Sequence, residues 1–157
     1  MSKFLSTSLC VALLAVSVAA NAEGQVISND LSKCRSGPST LVQINGVKAG
    51  TGRIRVQSYR ANASEWLAKG RWITRVEVPA RAGSMTVCVP LPAAGSYGIA
   101  VRHDVNGNGK TDLSADGGGM SNNPSINIFN LGKPSYKKTA FEVGNAPRTI
   151  SISMKYM

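Results

Sequence analysis

The chain has 157 residues, with 18 Lys and Arg against 8 Asp and Glu, and a formal net charge of +10. That length makes one domain with a real hydrophobic core. The basic residues Arg53, Arg55, Arg60, Arg71, Arg75, Arg81 and Arg102 are spread out, with few aromatics between them, which argues against nucleic acid as the partner.

In chain order, Lys3, the apolar run over residues 4–18 and the small-x-small triplet Ala20-Asn21-Ala22 predict a signal peptide over residues 1–22, cut before Glu23. The run is short for a bilayer span, and nothing after it is apolar enough to be one. Cys10 lies inside the run with no small residues before it, so no lipid anchor is expected there. The expected product is exported, to the periplasm or beyond the cell. Residues 23–37 form a polar lead-in, and residues 38–157 form the domain. Two cysteines remain after cleavage, Cys34 and Cys88, and an even pair in an oxidising compartment predicts a disulfide. No Cys-x-x-Cys suggests a redox role.

The domain alternates polar and apolar residues at period 2. "STLVQING", "TGRIRVQSY", "RWITRVEV", "SMTVCVPL", "SYGIAVRH", "YKKTAFEV" and "RTISISMKY" predict about seven strands, each with one face on a core. Ile54, Val56, Val87, Ile99, Val101, Ile150 and Ile152 are the expected core residues. Turn signals at Asn45-Gly46, Gly50, Pro79, Gly83, Pro90, Gly95 and Asn145-Ala146-Pro147 separate the strands. "SEWLAKG" predicts one short helix, capped by Ser64 and ended by Gly70. The expected fold is all-β: a single antiparallel β-sandwich of immunoglobulin or transthyretin type.

Between Asp104 and about Ser135 the pattern gives way to Gly, Asn, Ser and Pro, the mark of a functional or disordered loop. Asp104, Asn106, Asn108 and Asp112 stand at positions 1, 3, 5 and 9, with Gly109 at position 6. That is most of the calcium loop D-x-[DN]-x-[DN]-G, in which alternate residues aim oxygens inward and glycine permits the bend. Lys110 would offer its carbonyl at position 7. Position 12 is Ala115 where a bidentate carboxylate is wanted, and Asp116 falls one residue late. The same residues also make a good Asx-rich turn without an ion. A weak calcium site built from Asp104, Asn106, Asn108, Lys110, Asp112 and Asp116, and a metal-free turn, both stay open. No other cofactor is expected.

Enzymatic readings fit poorly. "NGNGKT" lacks the first glycine of a phosphate-binding loop, which would fall on Asp104. No Gly-x-Ser-x-Gly is present, and His103 next to Asp104 on a strand would point to the opposite face. His103 is expected to fix the loop base by hydrogen bonds.

"GSYGIAVRHDVNGNGKTD", then "GGGMSNNP", "GKPSYKKTAFEV" and "TISISMKY" resemble the bacterial exported family called domain of unknown function 2141, over about residues 38–156. Gly119-Met120-Ser121-Asn122 stands where that family usually has Gly-Phe-Ser-Asn. Tyr136-Lys137-Lys138-Thr139-Ala140 replaces an acidic Phe-Glu-Asp-Ala, which removes carboxylates from that second loop. The resemblance implies an exported β-sandwich and no established activity. The expected function is therefore non-enzymatic: an exported β-sandwich with the long loop as recognition surface. The alternative is a structural envelope or matrix protein that binds an anionic surface or polymer through basic faces.

Overall fold

A computed structural model describes residues 24–127, 130 and 132–156. The expected signal peptide lies outside the described residues. The alternating segments form strands: β2 (Ser39–Val47), β3 (Arg53–Arg60), β4 (Thr74–Pro79), β5 (Gly83–Pro90), β6 (Gly95–Asp104) and β9 (Pro147–Ser153). Short strands complete the set: β1 (Gln25–Ile27), β7 (Gly117–Met120), β8 (Phe141–Val143) and β10 (Lys155–Tyr156). The larger sheet runs β1-β4-β3-β6-β7-β10, and the smaller runs β5-β2-β9. β6 organises the larger sheet. One of its edges pairs with β3 throughout, while β8 and then β7 share the other.

One apolar cluster joins the inner faces of the two sheets. Val42, Ile44, Val87, Val89 and Ile152 from the smaller sheet pack with Ile54, Val56, Val76, Tyr97 and Ile99 from the larger, all fully buried. Each such side chain contributes about 1.5–3 kcal/mol of burial. The fold is mostly β in two sheets, as the alternation requires. Of the expected core residues, Ile150 alone is only partly buried, because it lies on the edge strand β9, most of which is exposed.

The structure differs from the sequence reading in four places. Two pairings are parallel, β1 with β4 and β2 with β9. A half-buried strand alternates identically in either direction, so periodicity carries no sign of this. Asn45-Gly46 is no turn but a bulge inside β2, with Gly46 at φ 76°. The expected helix is a run of turns: Asn62, not Ser64, caps it, its Oδ1 accepting from the Ser64 and Glu65 amides at 3.1 and 2.9 Å. Leu67, at φ 54°, stops it from growing. A one-turn helix, α1 (Tyr136–Thr139), instead forms at the start of the sixth expected strand, so that only β8 remains of that strand.

The lead-in is ordered by two anchors. Asn29 bridges the free edge of β5, donating to the Thr86 carbonyl at 3.1 Å and accepting from the Cys88 amide at 2.9 Å. Cys34 then forms the expected disulfide with Cys88, their Cα atoms 5.8 Å apart. Among the described residues, no helix is long and apolar enough to cross a membrane.

Candidate functional site

β6 delivers the loop at residues 104–116 from a buried base. His103 is fully buried. Its Nε2 lies 2.8 Å from the Thr51 carbonyl, which can only accept, so Nε2 carries the proton. In the neutral ring Nδ1 then accepts from the Tyr156 hydroxyl at 2.7 Å, and that hydroxyl oxygen accepts from the Lys48 amide at 3.0 Å. Burial pushes the Tyr156 hydroxyl above its ordinary pKa, opposed by the Lys48 amide, so it remains a donor at neutral pH. The ring thus ties the turn at residues 48–52, β10 and the loop base together.

Within the loop, the acids and amides satisfy one another. Asp112 Oδ2 accepts from the Asn106 and Asn108 side-chain amides, each at 2.8 Å, and these bonds hold its carboxyl below the usual pKa. Asn106 Oδ1 accepts from the Asn108 amide at 3.0 Å, and Asn108 Oδ1 from the Lys110 amide at 2.7 Å. Asp116 straps the loop ends, accepting from the Val105 amide at 3.1 Å and the Asp112 amide at 2.9 Å. Asp104 faces elsewhere. Its Oδ2 accepts from the Gly109 amide at 2.8 Å and from Arg102 at 3.5 Å, and its Oδ1 is buried without a partner. The fold therefore brings Asn106, Asn108 and Asp112 together, sets Asp116 as a strap and turns Asp104 toward Arg102. Arg102 reaches into the loop as well, donating to Thr111 Oγ1 at 2.8 Å and the Gly109 carbonyl at 3.1 Å.

Arg102 also leads to a feature the linear sequence hides. Strand register sets Glu77, Arg55, Arg102, Gly118 and Lys155 side by side across β4, β3, β6, β7 and β10. The outer face of Arg55, Arg102, Gly118 and Lys155 floors a groove of about 260 Å³. Thr111 and Leu113 of the acidic loop also line it, together with Ile126, Lys133, Tyr59 and Met120. Arg55 is paired with Glu77 at 2.7 Å. Lys133 and Lys155 make no ion pair with any described residue. Burial draws Arg75, on the same sheet, below the ordinary guanidinium pKa, with Arg55 adding to the effect and Glu77 opposing it. Sequence reasoning missed Arg55, Gly118 and Lys155 as site residues. Each sat on the polar side of an alternating strand or in a glycine run, and only register unites them.

A family model described as an uncharacterized protein conserved in bacteria (DUF2141) matches residues 42–151. The chain belongs to this family. The DUF2141 match takes in β3, β6, β7 and the whole loop, and so nearly all of the groove; Lys155 lies just beyond it. No curated protein and no solved structure matches the chain.

Proposed function

We propose that this DUF2141 protein is exported and acts as a non-enzymatic recognition module, with the loop at residues 104–116 walling a groove for an anionic ligand. The row of Arg55, Arg102 and Lys155 along the groove floor carries this reading: Arg55 and Arg102 lie directly opposite each other and are only partly matched by Glu77 and Asp104, and Lys155, beyond Gly118, makes no ion pair with any described residue, so the row keeps positive charge for an anion. The disulfide supports export, since such bonds persist in oxidising compartments. The lone histidine supports a non-enzymatic role, because both of its ring nitrogens are engaged by the protein. The test is titration with small organic anions and with polyglutamate as a model anionic polymer. Saturable binding of small anions that Lys155→Ala weakens agrees with the groove. Binding of polyglutamate alone, unaffected by Lys155→Ala, would favour an envelope-polymer role instead.

A second reading, a weak calcium site, is favoured by the buried, unpartnered Asp104 Oδ1. An ion there would draw on Asp104, Asp112 and the Lys110 carbonyl, and Asn106 and Asn108 would give up their present backbone partners. An extracellular-type site of this kind binds with a dissociation constant on the order of 10⁻⁴–10⁻³ M. Melting with calcium at about 10 mM, against chelator, then shows a shift in the parent that Asp104→Asn removes. An unchanged melting temperature in the parent would dismiss the ion.

A further inference from the structure

The triplet Gly117-Gly118-Gly119 forms most of β7, and its three members are not glycine for the same reason. A Cβ at Gly117 would overlap the Tyr156 ring, and one at Gly119 would lie 2.6 Å from Ile152 Cγ2. These two face inward, where β10 and β9 press on them. Gly118 faces outward. A Cβ there would meet only the Val101 backbone oxygen, at 3.9 Å, an ordinary contact. The packing of this protein does not require glycine at 118. Yet its absent side chain leaves a notch in the cationic row, with Arg102 on one side and Lys155 on the other.

We infer that the notch over Gly118 seats the carboxylate of a small organic acid, with the acid's apolar body lying between Leu113 and Ile126 toward Tyr59 and Met120. This rests on the groove being the recognition site. Three observations select the ligand class. Arg55 and Arg102 are already partly matched by Glu77 and Asp104, which leaves the unpaired ammonium groups of Lys155 and Lys133 for a singly charged head. Arg102 Nε carries a buried N–H with no partner. Leu113, 52% exposed, is one of few large apolar side chains left open among the described residues, and it stands on the groove wall. An inorganic phosphate or a polyanion would gain nothing from Leu113, Ile126 and Met120, whereas an acid with a short apolar body buries them.

The experiment is calorimetric titration of the full exported chain with hexanoate, benzoate, acetate and inorganic phosphate. Hexanoate and benzoate are expected to bind at least about tenfold more tightly than acetate or phosphate. Gly118→Val fills the notch without touching the inner face, so it should abolish binding while leaving the melting temperature close to the parent value. Leu113→Ser should erase the preference for hexanoate over acetate. Equal binding of all four anions, unaffected by Leu113→Ser, would overturn the organic-acid assignment while leaving an anion groove in place. Failure of every anion to bind the parent would overturn both. Undiminished hexanoate binding by Gly118→Val would show the seat to be elsewhere. If that variant does not fold, amide chemical shifts of the parent on adding hexanoate decide: changes centred on Gly118 and Lys155 support the seat, and changes elsewhere refute it.

Discussion

Asp112 shows how a strongly basic protein keeps an acidic loop ordered. Its carboxylate binds two asparagine side chains that are themselves bent back onto the amides of the next turn, so charge and turn geometry depend on each other. Those amide bonds favour the ionised form and hold its pKa below the ordinary value. A carboxyl depressed on folding stabilises the fold above its unfolded pKa, and that contribution is lost as pH falls through the folded one. The contribution of Asp112 to the loop should therefore be present above the ordinary carboxylate range and be lost only in acid below it. Carbon-detected titration of Asp112 checks this, and Asn106→Ala should move its midpoint upward. Amide hydrogen exchange at Asn108 and Lys110 should quicken over the same pH interval.

At the scale of elements, β9 separates a core residue from one that only borders the core. Ile152 is fully buried between the sheets, whereas Ile150 is partly open. Ile152→Ala should cost about 2–4 kcal/mol, and Ile150→Ala clearly less, as read by denaturant unfolding. Alternation placed both on the same face. It could not show that β9 is an edge strand, where the outer residues of one face meet solvent. The same limit explains β7. Three glycines carry no polar-apolar pattern, and their strand character comes from β6 and β10 on either side. The helix was misplaced because Asn62 outcompetes Ser64 for the two amides that need a cap. The strands and core were legible because side-chain period is a local property. The groove was not, because Arg55, Arg102 and Lys155 lie far apart along the chain and meet only through register.

At the scale of the whole molecule, the Cys34–Cys88 bridge fastens the lead-in to the smaller sheet, while β1 of the same lead-in joins the larger one. The lead-in thus clips both layers together. The bridge spans 54 residues, and a loop of that length is worth roughly 4 kcal/mol in the chain-entropy model. Cys88→Ser should lower unfolding stability by a few kcal/mol. Because the bridge lies at the β5 edge, away from the groove row, anion binding by the variant should be preserved once it is folded.

The parallel pairing of β2 with β9 has a consequence in time. Ser39 meets Pro147 and Asn45 meets Ser153, so the central strand of the smaller sheet waits for residues more than a hundred positions away. Until β9 has been made, that sheet consists of a single antiparallel pair, β2 with β5, and the core lacks Ile152. Pairings this distant in sequence slow folding into the range of about milliseconds to seconds typical of all-β domains. A ribosome-bound chain lacking β9 and β10 should accordingly stay protease-sensitive, and release of the full chain should be the moment at which resistance appears. The topology thus leaves the smaller sheet incomplete until β9, late in the chain, has been made.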